Sequence, residues 1–305
     1  MIIENKIIII IHEYNKFNCS HLKGLITYLK LKPKIDNLLL IEFNNKFKLY
    51  ENKHFIEKEL ELKNNIILFN KFLPKLDFLI NLKNNKNILY HEIIDFFYNK
   101  KYKNYEEYFN EYQINNEFIF DKIIVNSNHM RNILSKYYNN IFVIYHHYDH
   151  RINNKKNIIN KVYYLGLREK LELSNEIIEK NNIHLINYNG IRKYLQNGFS
   201  CIHICFIFDK TNLLYDIYTS TKLATAIATD SIFICNKIPV FVELLGDDYE
   251  FYCEDENELE NVIQKAQKIL INPEEFKQYL EIYNYLKQKL SYQYLLKDYE
   301  NLFNI

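Results

Sequence analysis

The stretch YTSTKLATAIATDSIFICN (218–236) decides the fold, because its character changes twice within a short length of chain. A turn of Ser and Thr residues leads into Lys222, a run of small residues typical of a helix follows, and an apolar run typical of a strand ends the stretch. A helix that alternates with a buried strand is typical of α/β domains with parallel sheets. Ala224, Ala226 and Ala228 would let this helix lie close to its sheet.

The same alternation of short apolar runs and amphipathic stretches extends over most of the chain. Apolar runs rich in β-branched residues and separated by helices predict a parallel sheet that is covered on both faces. The predicted strands lie at 6–14, 37–43, 65–69, 78–82, 87–94, 122–127, 140–147, 161–166, 183–188, 201–208, 231–236 and 249–253. The predicted helices lie near 24–30, 104–118, 128–138, 169–181 and 240–245, and from 254 onward. The charged, Asn-rich segment 148–160 interrupts the pattern and is interpreted as a linker between two α/β domains.

Composition excludes several classes of function. The 305 residues carry 39 basic and 38 acidic side chains. The chain therefore lacks the excess of basic residues that is typical of a general nucleic-acid binder. The five cysteines form no CxxC pair, which disfavours a zinc knuckle and a disulfide framework. The apolar run Ile7–Ile11 is too short for a signal sequence or a membrane span. We therefore expect a cytoplasmic protein.

The polar turn of the opening stretch is the first candidate site. In an open parallel sheet, ligands bind at the carboxyl ends of the strands, where helix N-termini point their backbone N–H groups outward. Thr219, Ser220 and Thr221 would offer hydroxyl groups to a phosphate, and Lys222 would offer a charge. A hydrogen bond of this charged kind contributes about 1.5–3 kcal/mol. A core helix with a simple polar cap is the alternative interpretation of the same residues.

Three groups of motifs resemble GT-B glycosyltransferases of the "group 1" type. TSTKLATAIATDSIFICNKIPVFVELLGDDYEFYCEDENELENVIQKA (219–266) is similar to the C-terminal domain of that family, and KVYYLGLREK (161–170) is similar to the entry into that domain. NILYHEIID (87–95), FDKIIVNSNHM (120–130) and VIYHHYD (143–149) are similar to N-terminal segments of the family. These motifs follow the family's order and cover most of residues 85–270.

The resemblance implies a GT-B fold, in which two Rossmann-like domains face each other across a cleft. Residues 1–152 would bind the acceptor and residues 158–275 the nucleotide sugar, while a return of the helices in 276–305 to the first domain stays open. The implied reaction moves a sugar from a nucleoside-diphosphate sugar to a hydroxyl of a glycan or a lipid-linked acceptor. The expected donor is a UDP-sugar or a GDP-sugar. No metal and no cofactor are implied, and peripheral contact with a membrane is compatible with this class.

The resemblance also implies site residues. The donor-binding residues would be Gly166, Arg168, Lys170, Thr219, Ser220, Thr221, Lys222, Thr225 and Glu243. The residues near the reacting centre would be His91 and Asp95. A structural role for His91 and a helix cap at Asp95 are the alternatives. The cluster HHYDH (146–150) is interpreted as part of the interdomain segment, because neighbouring side chains at a strand end point to opposite faces and do not gather around a metal.

Two positions depart from the family pattern. Thr225 stands where the family has an acidic residue for the ribose, and Asp230 stands where it has Gly. A single hydroxyl thus replaces a carboxylate with two acceptor oxygens. The loop after the first strand offers only Gly24. Two alternatives therefore stay open: a non-catalytic binding or scaffold protein on the same fold, and a nucleotide-sugar epimerase.

Overall fold

The structure is a computed structural model, and it forms two compact units. It describes residues 1–12, 20–93, 104–114, 117–149, 152, 157–187, 190, 194, 198–210, 215–216 and 218–305. Unit 1 comprises Met1–Ile144 with Tyr299–Ile305, and unit 2 comprises Tyr145–Asp298. Across these described segments, no helix combines the length and the apolar character needed to cross a membrane.

Unit 1 is built on an eight-stranded sheet. In spatial order its strands are β12 (Ile141–Val143), β11 (Lys122–Val125), β8 (Ile88–Glu92), β7 (Ile66–Asn70), β2 (Ile7–Ile11), β3 (Leu38–Phe43), β4 (Phe47–Glu51) and β5 (His54–Glu57). The first six are parallel, and the β3–β4 and β4–β5 pairs are antiparallel. All five residues of β2 are buried, as a central strand covered on both faces requires.

The remaining elements of unit 1 are short. Two small ladders pair β1 (Ile2–Glu4) with β6 (Glu61–Lys63), and β9 (Gln113–Ile114) with β10 (Glu117–Phe118). The helices are a π-helical turn at Ser20–Ile26 that continues into α1 (Thr27–Leu31), α2 (Leu76–Asn84), α3 (Tyr105–Glu111) and α4 (Asn128–Leu134). The π-helical turn lies very close to β2, so a Cβ placed on Gly24 would overlap with Ile11 Cγ2.

Unit 2 is built on a four-stranded parallel sheet. In spatial order its strands are β14 (Ile183–Ile186), β13 (Ile158–Leu165), β15 (Ser200–Cys205) and β16 (Ile232–Cys235). Its helices are α5 (Asn175–Lys180), α6 (Thr221–Ala228), α7 (Pro239–Leu245), α8 (Leu259–Ile271), α9 (Pro273–Glu281), α10 (Tyr283–Lys289) and the first part of α11 (Tyr292–Phe303). Helix α6 packs against β15 and β16 through buried Leu223, Ala224, Ala226 and Ile227.

Each sheet reverses its strand order at one point. In unit 2, β14 lies on one side of β13, and the following strands β15 and β16 lie on the other side. In unit 1, β3 lies on one side of β2, and β7, β8, β11 and β12 follow on the other side. Open α/β sheets bind their ligands outside the carboxyl ends of the strands at such a reversal. The chain therefore has one candidate ligand edge in each unit.

One sequence prediction about an element is wrong, and one pair of strands was not predicted. The run 78–82, predicted as a strand, is part of helix α2, where Leu79 and Leu82 are buried one turn apart. The hairpin of β4 and β5 is not among the predicted strands, yet it extends the sheet beyond β3. Segment 249–253 contributes only an isolated bridge between Cys235 and Tyr252.

Candidate functional site

The reversal point of the sheet in unit 2 brings together two predicted donor-binding residues. Gly166 directly follows β13, and its amide N–H donates to Ile186 O at 2.9 Å. Lys222 stands in the first turn of α6, which is reached from the neighbouring strand β15. A Cβ placed on Gly166 would lie 3.4 Å from Lys222 Nζ, so the ammonium group lies directly beside the glycine backbone. A phosphate at this edge would meet the cation of Lys222 and the backbone of a residue that has no side chain of its own.

Aromatic side chains surround the ammonium group of Lys222. Lys222 Nζ donates to the hydroxyl of Tyr218 at 2.7 Å. It lies 5.0 Å from the ring centroid of Tyr164 and 5.3 Å from that of Tyr218, which is the range of cation–π interactions. Cys205 Sγ donates to the same Tyr218 hydroxyl at 3.2 Å. The burial of Cys205 raises the pKa of its thiol, so the thiol is protonated at neutral pH and acts as the donor.

The Ser/Thr turn before α6 is ordered by its own hydroxyl groups. The hydroxyls of Thr219 and Thr221 are hydrogen-bonded to each other at 2.9 Å. Ser220 is fully buried, and its hydroxyl donates to His146 O at 3.0 Å. The turn leads directly into the eight-residue helix α6. The N-terminus of a helix carries a partial positive charge, which favours binding of an anion.

Thr225, the predicted ribose contact, uses its proton inside the helix. Its hydroxyl donates to Thr221 O at 2.9 Å, one turn earlier. The oxygen of that hydroxyl keeps its acceptor capacity, so toward a ribose it would accept a hydrogen bond. A carboxylate at this position would accept with two oxygens, and Thr225 accepts with one.

Arg168 and Lys170 lie in the short 3-10 turn Arg168–Lys170 after Gly166. The guanidinium group of Arg168 donates to Leu171 O at 2.7 Å and to Leu173 O at 2.6 Å. These bonds hold the backbone of the turn. Lys170 is partly exposed in the same turn. A role for either side chain at a diphosphate stays a prediction.

Glu243 lies on helix α7. It accepts a short hydrogen bond from the hydroxyl of Tyr145. The ring of Tyr145 lies 4.4 Å from Lys289 Nζ. Phe241, two residues before Glu243, contacts Tyr218 edge to face with a centroid distance of 5.8 Å. Through Phe241, helix α7 therefore packs beside the predicted phosphate lysine, and a donor-binding role of Glu243 stays a prediction.

In unit 1, His91 is part of the core. It is fully buried near the end of β8, and its Nδ1 is 2.9 Å from the hydroxyl of Tyr108. Its ring lies 5.2 Å from the ring of Phe120. Burial lowers the pKa of His91 to about 3, so the imidazole is neutral at pH 7. Asp95 lies outside the described residues. The catalytic roles of both residues stay predictions.

The sequence prediction did not include Glu92, which ends β8 beside His91. Lys23 Nζ lies 3.0 Å from Glu92 Oε1, and both side chains are buried. Glu92 Oε2 accepts from Asn70 Nδ2 at 2.6 Å and from the hydroxyl of Tyr299 at 2.9 Å. Because donors from three separate elements converge on one carboxylate, Glu92 fixes the end of β8 and with it the position of His91.

The prediction also did not include Tyr164 and Tyr218, the aromatic neighbours of Lys222. One signal was present in the sequence: Tyr218 stands only four residues before Lys222, in the segment that leads into α6. The chain contains 27 Tyr residues, however, so a tyrosine near a lysine carries little information by itself. Among the described residues, no group of three or more His, Cys, Asp and Glu side chains gathers in a way that could hold a metal ion.

Each unit has an α/β sheet whose strand order reverses once, and the candidate site lies at the carboxyl edge of the sheet in unit 2. These features indicate the class of fold. The chain has the GT-B glycosyltransferase fold, as the comparison with solved structures shows. No protein-family model matches the sequence, and no curated protein matches it.

Three solved structures illustrate the likeness. Anabaena HepE in complex with UDP and glucose has a TM-score of 0.64 and 12% identity, over 98% of this chain and 99% of HepE. T4 phage BGT in complex with its UDP-glucose substrate has a TM-score of 0.52 and 12% identity, over 98% of this chain and 100% of BGT. A variant of S. aureus TarM in complex with Fondaparinux, alpha-GlcNAc-glycerol and UDP has a TM-score of 0.50 and 13% identity. That match covers 79% of this chain, which spans 55% of the TarM chain.

Proposed function

We propose that the protein is a glycosyltransferase that takes its sugar from a nucleoside-diphosphate sugar, with UDP as the carrier. The observation that supports this most is the position of Lys222 beside Gly166 at the reversal point of the sheet in unit 2. The solved structures of HepE, BGT and TarM all contain UDP or UDP-glucose, which favours UDP over GDP as the first candidate.

The proposed chemistry is substitution at the anomeric carbon of the donor sugar. An acceptor hydroxyl oxygen forms the new bond to this carbon, the bond from the carbon to the diphosphate oxygen breaks, and the hydroxyl proton passes to a base. Negative charge develops on the leaving UDP. Lys222 and the N-terminus of α6 would stabilise that charge, and pre-positioned charges of this kind are usually the largest contribution to catalysis.

The acceptor belongs to unit 1 in this proposal. We expect a hydroxyl of a glycan or a lipid-linked glycan as the acceptor, and for the lipid-linked case peripheral contact with a membrane. His91 is neutral at pH 7, as a general base has to be, but it is fully buried beside Tyr108. Direct contact between His91 and the substrate would require this part of unit 1 to open.

The first test is nucleotide binding to the whole chain. We expect UDP to bind and to raise the melting temperature, since a ligand at 100 times its dissociation constant adds about 2.7 kcal/mol of stability. Lys222→Ala should lower the affinity for UDP by about 10- to 100-fold, because it removes a charged hydrogen bond. Isothermal titration calorimetry with UDP, GDP, ADP and CMP measures both effects.

A matched control is Lys265→Ala. Lys265 Nζ also lies over an aromatic ring in unit 2, 5.3 Å from the centroid of Phe251, and pairs with Glu250 at 2.9 Å. This variant should bind UDP like the unaltered protein. Equal affinities of Lys222→Ala and Lys265→Ala would refute the site.

A second assay separates the transferase from its alternatives. Slow hydrolysis of UDP-glucose in the absence of acceptor indicates a working transferase site. Release of an epimerised sugar would instead support the epimerase. Binding of UDP without any turnover of UDP-sugars would support the non-catalytic alternative. This alternative follows from Thr225, which offers one hydroxyl where the resembled family has a carboxylate for the ribose.

A further inference from the structure

Lys222 has a long and flexible side chain, and the structure holds its ammonium group in one place. Lysine side chains carry about 2 kcal/mol of rotamer entropy, which binding has to overcome when the lysine is mobile. Here one donor of the ammonium group is used at 2.7 Å by the hydroxyl of Tyr218. The ring of Tyr164 forms a second wall at 5.0 Å.

Tyr218 is itself held firmly. It is 6% exposed, its ring packs edge to face on Phe241 at 5.8 Å, and its hydroxyl accepts from Cys205 Sγ at 3.2 Å. Cys205 ends β15, one of the two strands at the reversal point. A chain of contacts thus runs from the strand end through Cys205 and Tyr218 to Lys222. The position of the cation is set by the sheet and not by its own rotamer preference.

From this geometry we infer that Tyr218 is a positioning residue, which holds Lys222 at the place where the diphosphate of the donor binds. The inference rests on the proposed function. Tyr218 acts through Lys222, so its effect should be confined to the part of the ligand that carries the phosphates. A nucleoside without phosphates does not need the cation, and its binding should not depend on Tyr218.

The test is Tyr218→Phe, which removes the hydroxyl and keeps the ring. Calorimetry on the full chain should show an affinity for UDP that is lower by about 3- to 10-fold, since a pre-positioned cation becomes mobile. The affinity for uridine should stay within about twofold. The matched control is Tyr252→Phe, because Tyr252 also lies below a lysine, 5.5 Å from Lys237 Nζ, and its hydroxyl donates to Gly246 O at 2.9 Å. The control should change neither affinity.

A double variant tests whether Tyr218 acts through the lysine. When Lys222 is already alanine, Tyr218→Phe should cause no further loss of UDP affinity, whereas independent residues would show additive losses. Additive losses would overturn the inference, and so would an equal fall of the affinities for UDP and uridine. Failure of the unaltered protein to bind UDP would refute the proposed function and this inference together. UDP binding that is unchanged in Tyr218→Phe would refute this inference alone.

Discussion

Gly166 shows how much one residue contributes to the candidate site. Its backbone has φ +153°, and a Cβ at this position would lie 3.2 Å from the hydroxyl of Tyr164 and 3.4 Å from Lys222 Nζ. Both distances are at or below the lower end of comfortable contacts for a methyl group. The absence of a side chain therefore lets the aromatic and cationic groups of the site approach the backbone.

We predict that Gly166→Ala weakens UDP binding by several-fold and lowers the free energy of unfolding by about 1 kcal/mol or more. The added methyl group displaces Lys222 Nζ or Tyr164, and the backbone conformation disfavours a side chain. Calorimetry with UDP and urea denaturation measure the two effects.

Gly246→Ala is the matched control for this prediction. Gly246 has φ +85°, and nothing lies within 4 Å of a Cβ placed on it. This variant should lose stability because of backbone strain, while its affinity for UDP stays unchanged. An unchanged UDP affinity in Gly166→Ala would contradict the close approach that the structure shows.

At the scale of an element, tyrosine hydroxyls form hydrogen bonds with backbone groups at the edge strand β16 of unit 2. Tyr249 donates to Phe233 O at 2.6 Å, and Tyr283 donates to Ser231 O at 2.8 Å. The amide N–H of Phe233 donates to the hydroxyl of Tyr279 at 3.2 Å. The three hydroxyls also form a chain, with Tyr279 bonded to both other tyrosines. Unpaired N–H and C=O groups of an edge strand can pair with another chain, and these hydroxyls occupy three of those groups at β16.

We predict that Tyr279→Phe lowers the free energy of unfolding by about 1–3 kcal/mol, because it leaves a buried backbone N–H without its acceptor. Urea denaturation measures the loss. The control is Tyr285→Phe, since Tyr285 is 64% exposed on the neighbouring helix α10. The control should stay within about 0.5 kcal/mol of the unaltered protein. Equal stabilities of the two variants would show that the hydroxyl of Tyr279 contributes nothing to the cover.

The elements also show what the sequence can and cannot predict. Most strands were found because each is a short buried run of apolar residues. Helix α2 was mistaken for a strand because its apolar core, FLINL, is too short for its periodicity to be recognised. The hairpin of β4 and β5 was missed because its turn is Asn52-Lys53, with φ of 48° and 68° at the positions where Gly is usual.

At the scale of the whole molecule, the chain contains few glycines, and other residues adopt the positive φ angles that glycine usually adopts. It has five Gly, and positive φ occurs at Asn, Lys and Asp in ten described positions, among them Asp230. Asp230, which stands where the resembled family has Gly, therefore adopts a left-handed backbone with φ 51°. Its carboxylate pairs with Lys287. The sequence alone singled out Gly166 and Lys222 as donor-binding residues, and the structure places the two side by side, while their role stays a prediction. It could not predict which of many tyrosines would contact the lysine, since that depends on the register of the packed elements.

Two buried histidines, His91 in unit 1 and His203 in unit 2, make the stability of the protein depend on pH. Burial lowers the pKa of His91 in unit 1 to about 3, and burial does the same for His203 in unit 2. In the unfolded chain both titrate near pH 6.5, so the unfolded state binds more protons between pH 6.5 and 3. Their contribution to stability is therefore complete above about pH 6.5 and declines as the pH falls, by about 1.4 kcal/mol per pH unit for each histidine.

We predict that urea denaturation at pH 7, 6 and 5 shows this decline, and that His203→Gln makes it less steep, because this buried group no longer takes up a proton on unfolding. The amide of Gln can still bond the hydroxyl of Tyr194, which lies 2.5 Å from His203 Nε2. His54→Gln is the control, since His54 is exposed on β5 and meets water in both states. The control should follow the unaltered protein at every pH. If His203→Gln kept the full slope as well, the acid sensitivity would have to come from groups other than His203.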